Sequence, residues 1–310
     1  MVQEKFRLIT RSDFDGLVSA VLLKHLGLID EVLFVHPKDM QDQKIQVTAN
    51  DITTNLPYVP GVHIAFDHHL SESKRNAANI KSHIIVPSAP SAARVVWQYY
   101  GGHRAFPKHW DDMMTAVDKG DSAQFNMAEV TDPKEWDLLN FIMDARTGLG
   151  RFREFRISNY DLMMQLIDLC STTTISTIME NEDVKERVAL YLEQQELFKE
   201  QVQRCAIEHK NLVVLDLRNE DIIYAGNRFM IYALFPQCNI SIHVMWGFRR
   251  QNTVFATGKS IFDRSSKTNV GDLMLKYNGG GHDAAGTCQI DTDNAEIVLA
   301  ELIETITMNG

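Results

Sequence analysis

The sequence predicts an α/β protein in which a parallel-sheet N-terminal domain is joined by a long helix to a smaller α/β domain. Three observations lead to this prediction. The 310 residues exceed the usual length of one domain. Short apolar runs alternate with helical patterns in the first third of the chain, which is typical of strands linked by crossover helices. Beyond a long amphipathic stretch the pattern changes to closely spaced strands. We therefore expect domains at residues 1–183 and 212–310, with a linker helix at 184–211.

The first third of the chain predicts a parallel sheet covered by helices. Strands are expected at Phe6–Thr10, Glu31–His36 and Val62–Phe66, because these short runs are nearly continuous in apolar residues. Helices are expected at Gly16–His25 and Ser91–Tyr100. The order strand, helix, strand favours parallel pairing.

The rest of the chain is predicted to be helical first and then rich in strands. Residues from about 110 to 179 are mostly helical in pattern. The linker helix is expected at Val184–His209, with apolar residues on one face and acidic residues at its start. The strands of the second domain are expected at Leu212–Leu217, Asp221–Ala225, Ile240–Gly247 and Asn252–Thr257.

Composition limits the classes of function. There are 31 Lys and Arg against 41 Asp and Glu, so the net charge is −10, which disfavours binding to long nucleic acid but not to a small phosphorylated substrate or short oligonucleotide. The sequence contains no apolar stretch of membrane-spanning length and no signal peptide pattern. The four cysteines have neither zinc nor disulfide spacing. We expect a cytoplasmic protein without membrane association; the long helix suits packing within the chain or across a homodimer.

Acidic and imidazole side chains follow the predicted strands. Residues just past the carboxyl ends of parallel strands meet at one crevice. Carboxylates so close together need a cation, because like charges raise each other's pKa, and a mixture of carboxylate and imidazole suits Mn²⁺, Fe²⁺ or Zn²⁺. Taken singly, each segment is better explained without a metal, with Asp67 as a helix cap and His68 as a hydrogen-bonded neighbour; together, the segments favour a metal site. The residues expected to converge are Asp13, Asp15, Asp51, Asp67, His68 and His69.

Two further segments are candidates for ligand contacts. Asp118 and Asp121 end a helical stretch, and their spacing does not decide which of them would reach a metal. Near the C-terminus, Gly279–Gly281 precede His282, and a glycine run lets backbone N–H groups approach an anion. The alternative is a flexible turn with an incidental histidine. Upstream lies a local cationic patch formed by Lys259, Ser260, Arg264 and Lys267.

Taken together, these motifs resemble the signature of the DHH phosphoesterase superfamily with a DHHA1 domain, in a branch often labelled exopolyphosphatase-related. The resemblance implies a manganese-dependent hydrolase that uses metal-activated water on short oligonucleotides, nucleotide phosphates or polyphosphate. It also implies that the first domain holds the metals and that the second binds substrate. The motifs, in the family's order, are Asp13-x-Asp15-Gly16, Asp51, Asp67-His68-His69 and Gly279-Gly280-Gly281-His282-x-x-Ala285-Gly286.

The resemblance also implies a role for each residue. Asp13 and Asp51 would bind one metal, and His69 would contact the phosphate or the leaving group, with Asp67 supporting a histidine. Asp121 is chosen over Asp118 because the segment from Asp121 to Phe125 is similar to the family's D-T-G-x-F form. The ligands implied for the second metal are Asp15, Asp51, His68 and Asp121. The residues implied for substrate binding are Gly280, Gly281, His282 and Arg264, with Ser260 beside them.

One departure from the family pattern concerns the first metal. Family members usually place a histidine or an aspartate at the positions that Ile9 and Arg11 occupy here, and neither of these residues ligates a metal. Either one Mn²⁺ or two would then bind, with Mg²⁺ or Co²⁺ as substitutes. His36 could replace the missing ligand of the first metal. Alternatively, the Arg11 guanidinium would bind a substrate oxygen in place of that metal's charge. The competing hypothesis is a nucleotide-binding sensor with an incomplete metal site that does not hydrolyse its ligand.

Overall fold

The computed structural model describes residues 5–69, 72, 80–152 and 154–310. The chain forms two compact units, one of residues 1–125 and 133–190 and the other of residues 126–132 and 191–310. The division falls inside the long helix, between Leu190 and Tyr191. The short segment 126–132 belongs to the second unit, which the sequence did not indicate.

The described residues contain twelve α-helices and eleven strands. The helices are α1 Phe14–His25, α2 Pro37–Gln41, α3 Ala92–Tyr99, α4 Asp111–Asp121, α5 Met127–Thr131, α6 Glu135–Met143, α7 Asn159–Thr172, α8 Ile175–Met179, α9 Glu182–Cys205, α10 Met230–Leu234, α11 Val270–Leu275 and α12 Ala295–Asn309. The strands are β1 Phe6–Arg11, β2 Ile29–Val35, β3 Asp51–Thr54, β4 Ile64–Asp67, β5 His83–Ile85, β6 Ala206–His209, β7 Leu212–Asp216, β8 Ile240–Trp246, β9 Thr253–Lys259, β10 Gly280–Gly281 and β11 Ala285–Ile290.

The first unit is built on a parallel sheet with the strand order β2-β1-β3-β4-β5. Strands β3 and β4 are buried along their whole length. Parallel strands end at the same edge, so the residues that follow β1, β3 and β4 lie close together. The predicted α/β class with a parallel N-terminal sheet is confirmed.

Helix α1 starts directly at this edge. Asp13 caps it, its side chain accepting the backbone N–H of Gly16 at 3.0 Å. A Cβ atom at Gly16 would lie 2.0 Å from the Arg11 carbonyl oxygen, so only glycine permits the tight turn from β1 into the helix. Residues 14–23 are all buried, and α1 is the central helix of this unit.

The second unit has a mixed sheet with the strand order β10-β11-β9-β8-β7-β6, in which only β7 and β8 pair in parallel. One face of it carries the apolar core, to which Ile242, Phe255, Val270 and Leu302 contribute. Within the described part of the chain, no helix is both long enough and apolar enough to cross a membrane.

Two predictions about this unit are wrong. Asp221–Ala225 is not a strand, because glutamine side chains of α9 bind its backbone where a neighbouring strand would. The side-chain oxygen of Gln201 accepts the N–H of Tyr224 at 3.1 Å, and that of Gln194 accepts the N–H of Ala225 at 2.8 Å. The long helix ends at Cys205 rather than His209, because the residues that follow form β6 and pair with β7.

Candidate active site

Three side chains from different elements meet at the carboxyl edge of the first sheet. One ligand atom each of Asp15, His68 and Asp121 lies within 4.8 Å of the others. The Nε2 atom of His68 is 2.8 Å from Oδ2 of Asp121. Asp15 stands in the first turn of α1, His68 directly follows β4, and Asp121 ends α4. We refer to these three residues as the triad.

Asp15 is held rigidly within the triad. It is 2% exposed, and its two oxygens accept the N–H groups of Ala92 and Ala93 at 3.0 and 2.7 Å. These N–H groups belong to the first turn of α3, where the helix dipole favours negative charge. Burial, followed by the charge of Asp121, nevertheless raises the pKa of Asp15 to about 8. A carboxyl group with such a pKa needs a cation to ionise fully at neutral pH.

His68 and Asp121 influence each other strongly. The Nδ1 atom of His68 donates to the carbonyl oxygen of Ala89 at 3.1 Å, so Nε2 faces Asp121. Burial lowers the pKa of His68, but the contact with Asp121 and its charge outweigh burial and raise the pKa to about 9. Burial acts to raise the pKa of Asp121, and His68 more than offsets it, so that pKa is lowered.

Asp67 orients the second histidine of the motif. It is 1% exposed, and its Oδ1 accepts the Nδ1–H of His69 at 2.7 Å and the backbone N–H of His68 at 2.8 Å. Burial lowers the pKa of His69, but the hydrogen bond to Asp67 and the charge of Asp67 outweigh it, so the pKa is raised. This pairing fixes the ring and its tautomer.

Asp13 lies at the same edge but is enclosed by donors. Its Oδ1 accepts the N–H of Gly16, and its Oδ2 is 3.0 Å from Nε of Arg11. The side-chain amide of Asn55 lies 3.4 Å from both oxygens. Burial raises the pKa of Asp13, and the charges of Arg11 and Arg146 oppose that effect.

Asn55 and Arg146 are candidate residues that sequence reasoning missed. Asn55 directly follows β3 and is 2% exposed. Arg146 lies in a 3₁₀ turn, Ala145–Thr147, between α6 and α7. A correct assignment of β3 would have pointed to Asn55; no pattern in the sequence marks Arg146.

The expectation that Asp51 joins this edge is wrong. Asp51 is the first residue of β3 and lies opposite Arg7 of β1, at the amino-terminal edge of the sheet. Its carboxylate accepts from Arg7 Nε at 2.8 Å and from the backbone N–H of Thr48 at 2.6 Å. Asp51 is therefore a buried acid that pairs with Arg7, at the sheet edge opposite to the triad.

The two alternatives left open by the sequence lie outside the triad. Asp118 accepts from the Ser91 hydroxyl at 2.7 Å and from Arg94 Nε at 2.8 Å. His36 caps α2, its Nδ1 accepting the N–H of Lys38 at 3.1 Å. Asp121, not Asp118, is the acid placed beside His68.

The glycine-rich segment of the second unit is shaped largely by packing. A Cβ atom at Gly279 would lie 2.3 Å from the Thr287 carbonyl oxygen, and one at Gly281 would lie 2.3 Å from that of Ala285. The backbone N–H groups of Gly279 and His282 donate to carbonyl oxygens at 2.9 and 2.7 Å. A Cβ atom at Gly280 would meet open space. Fewer backbone N–H groups are therefore available to an anion than the glycine run predicts, because those of Gly279 and His282 already donate within the protein.

The remaining predicted substrate residues of this unit differ in exposure. Ser260 is 3% exposed, and its hydroxyl oxygen accepts the N–H groups of Phe262 and Asp263 at 3.2 and 3.1 Å. Arg264 and His282 are exposed. Ser260 therefore shapes the turn that presents Arg264, whereas Arg264 and His282 are accessible to a ligand.

The triad suits a divalent cation. Nε2 of His68 and Oδ2 of Asp67 are buried and have no aligned hydrogen-bond partner among the described residues. The triad offers two carboxylates and an imidazole, a donor set that fits Mn²⁺ and related ions. The hydrogen bond from Nδ1 of His68 to a carbonyl oxygen is the support that metal-binding histidines usually have.

Comparison with known proteins identifies the class. Neither the protein-family models nor the curated proteins include a match to the sequence. Among solved structures, the pGpG-specific phosphodiesterase PggH of Vibrio cholerae is 63% identical over 99% of this chain and 100% of its own, with a TM-score of 0.85. RecJ of Thermus thermophilus matches over 98% of this chain and 52% of its own in complex with Mn²⁺, at 12% identity and a TM-score of 0.57. RecJ in complex with Mg²⁺ matches over 99% of this chain and 50% of its own, at 14% identity and a TM-score of 0.55. The two RecJ matches show a shared fold.

The fold and the edge cluster, with this identity, define a phosphoester hydrolase. The chain belongs to the DHH phosphoesterase superfamily, in the family of the pGpG-specific phosphodiesterase PggH. The resemblance stated from the motifs is confirmed. The alternative of a sensor that does not hydrolyse its ligand is not supported, because the 63% identical relative is an enzyme.

Proposed function

We propose that this enzyme is a divalent-metal-dependent phosphodiesterase whose substrate is the dinucleotide pGpG. The observation that carries the proposal is the 63% identity, over nearly the whole length of both chains, with a phosphodiesterase specific for pGpG. Hydrolysis of the internal phosphodiester, with the 3′ oxygen as leaving group, gives two molecules of GMP. A substrate of this size also agrees with a net charge of −10, which disfavours long polyanions.

The triad would hold the cation. Asp15, His68 and Asp121 offer adjacent donor atoms, and Mn²⁺ is the ion we propose, with Mg²⁺ or Co²⁺ as substitutes. When bound, a divalent cation supplies Lewis acidity, which lowers the pKa of water and offsets negative charge on the phosphate. The carboxylate of Asp15 is held in place by the first turn of α3, so the site needs little reorganisation.

His69 is proposed as the proton donor to the leaving group. Asp67 binds Nδ1–H, so the exchangeable proton of a charged imidazole lies at Nε2. Burial lowers the pKa of His69, but Asp67 outweighs burial and raises it, which stabilises the protonated ring. A proton delivered to the 3′ oxygen as its bond to phosphorus breaks avoids an unstable alkoxide.

The second unit keeps the role that the family resemblance implies. His282 and Arg264 are proposed to contact phosphate, with close backbone approach at Gly280, where a Cβ atom would meet open space; Gly281 is packed against Ala285. Of these, His282 and Arg264 have the exposed polar groups such contacts need. Ser260 contributes by holding the turn that carries Arg264.

The test is product analysis with the full chain. With Mn²⁺ and pGpG we expect two GMP per substrate consumed, and much slower release from a five-guanosine oligonucleotide or short-chain polyphosphate. An Asp121→Asn variant prepared in parallel excludes a contaminating nuclease. Phosphate release from polyphosphate with no GMP from pGpG would overturn the proposal.

A further inference from the structure

We propose that a guanine base of the substrate binds on the open face of the second unit's sheet, where the His243 side chain hydrogen-bonds its edge. The proposal rests on the proposed function for the identity of the base. It adds a base contact to the phosphate contacts proposed for Gly280, Arg264 and His282. Such a contact is needed for specificity, because phosphates are common to all dinucleotides and only base contacts distinguish them.

The first step is the face of the sheet on which His243 lies. Side chains alternate along a strand, and Ile240, Ile242 and Val244 of β8 belong to the apolar core. The side chain of His243 therefore points to the opposite face. Its ring is half-buried, and within the described part of the chain it makes no hydrogen bond, ion pair or ring contact. Both ring nitrogens are thus available to a ligand.

The second step is the row of residues that crosses the sheet from His243. The register places Ala256 of β9 opposite His243 and Thr287 of β11 opposite Ala256. Gly280 of β10 lies opposite Thr287 and ends the row. Three strand spacings of about 4.8 Å make the row about 14 Å long. A nucleotide laid along it has its phosphate at Gly280, where a Cβ atom would meet open space, and its base towards His243.

The third step is that the middle of this face is low and accessible. Ala256 is half-buried, and Ala285 and Thr287 are exposed. Their short side chains leave room above β9 and β11 for a flat ring. On the same face, β7 is covered, because Val213 and Leu215 are fully buried. The space for a base is therefore bounded on the β7 side and begins next to His243.

The fourth step is a fixed wall one row away from His243. The Tyr232 hydroxyl of α10 donates to the Gly258 carbonyl oxygen at 2.6 Å, and so accepts from Ser241 Oγ, which is 2.8 Å away. Ser241 precedes His243 by two residues on β8 and points to the same face. Both hydroxyl hydrogens are used within the protein. Tyr232 therefore bounds the space sterically, and His243 supplies the polar contact.

The fifth step is the charge of His243. Burial, followed by the charge of Arg228, lowers the pKa of His243 to about 4, so the ring is neutral at pH 7. A neutral imidazole has one N–H donor and one acceptor nitrogen. The edges of guanine offer the same mixture, since O6 and N7 accept and the amino group donates. A phosphate offers acceptors and no cationic partner here, so a neutral histidine suits the base better.

The first measurement is calorimetric titration of the full chain with GMP and with ribose 5-phosphate, which has no base. We expect the wild type to bind GMP more tightly. His243→Ala should weaken GMP binding about tenfold, as for one lost hydrogen bond, and leave ribose 5-phosphate binding unchanged. Equal losses for both ligands would indicate a structural role, and wild-type affinity for GMP would remove the base contact. Either result overturns the proposal.

The second measurement tests the space beside His243. Ala256→Leu places a larger side chain between His243 and Thr287 on the open face, where it fits without disturbing the core. We expect the KM for pGpG to rise at least about tenfold, because the base is displaced, while Mn²⁺ binding by the first unit stays the same. An unchanged KM in this variant would overturn the position of the base.

The matched control is His209→Ala in the same sheet. His209 of β6 lies opposite the core residue Leu212, so it belongs to the other face. We expect this variant to keep the wild-type affinity for GMP and the wild-type KM for pGpG; a loss as large as that of His243→Ala would refute a specific contact. A wild-type enzyme that cleaves no pGpG would instead reject the proposed function, and the GMP and ribose 5-phosphate titrations would still test the base contact.

Discussion

Asp51 and Arg7 form an ion pair at the amino-terminal edge of the first sheet, with Arg7 Nε 2.8 Å from Asp51 Oδ1. The pair links the beginnings of β1 and β3. Asn55, at the other edge, is four residue steps of extended chain from Asp51, or about 13 Å. The superfamily motif that Asp51 was expected to provide is therefore not provided by this residue. Its contacts predict a contribution to stability rather than to chemistry.

Asp51→Asn should destabilise the fold without changing catalysis. The carboxylate is 1% exposed and accepts from the half-buried Arg7 and from Thr48, so an amide in its place leaves these donors poorly matched and costs about 1–3 kcal/mol. Denaturant unfolding measures this loss, and kcat for pGpG, per folded molecule, should be retained. Asp42→Asn is the control, because its ion pair with Lys38 lies at the surface and should matter little. Loss of turnover in folded Asp51→Asn would indicate that Asp51 binds the metal after all.

The error about Asp51 shows which parts of the site a sequence can predict. Asp13, Asp15 and the Asp67-His68-His69 segment lie at the expected edge because each follows or ends an apolar run with a clear strand pattern. Strand β3 has only four residues and begins with an acid, so the sequence analysis predicts no strand there and does not identify Asn55. Arg146 comes from a 3₁₀ turn between helices, where neither apolar periodicity nor motif spacing carries information. Its position depends on tertiary packing alone.

Asp121 and Asp118 should separate metal binding from stability. Asp121→Asn removes a triad oxygen next to His68, and we expect kcat to fall by at least about 1,000-fold and Mn²⁺ binding to weaken strongly. Asp118→Asn breaks the contacts with Ser91 and Arg94 instead, so it should lower the melting temperature and leave the Mn²⁺ affinity intact. Calorimetric titration with Mn²⁺ and thermal unfolding of both variants give the comparison. If the two variants exchanged these effects, Asp118 would be the ligand.

Mn²⁺ affinity should rise with pH and be accompanied by proton release. Without metal, the pKa of Asp15 is about 8, through burial and the charge of Asp121, and the pKa of His68 is about 9, where the contact with Asp121 outweighs burial. Both groups hold a proton at pH 7, and a metal ion must displace both. Each proton released contributes up to about tenfold in affinity per pH unit below these values. Titrations at pH 6.5 and 7.5 in two buffers of different ionisation enthalpy measure the affinity and the proton count; equal affinity at both pH values would contradict the assignment.

Asp67→Asn should slow the chemical step while leaving the triad able to bind metal. Asp67 Oδ1 accepts the Nδ1–H of His69 at 2.7 Å, and an asparagine carbonyl accepts it without the negative charge. The pKa of His69 should then fall, so the protonated donor is depleted at lower pH than in the wild type, and the alkaline limb of the kcat profile should move to lower pH. Supporting carboxylates of this kind are worth about 10–100-fold in activity.

His69→Gln, which removes the donor itself, should abolish the alkaline limb and lose at least as much activity. Mn²⁺ titration of both variants tests whether the triad is intact, because His68 has its own support from the Ala89 carbonyl. A kcat profile that does not shift in Asp67→Asn would mean that His69 does not act as the proton donor.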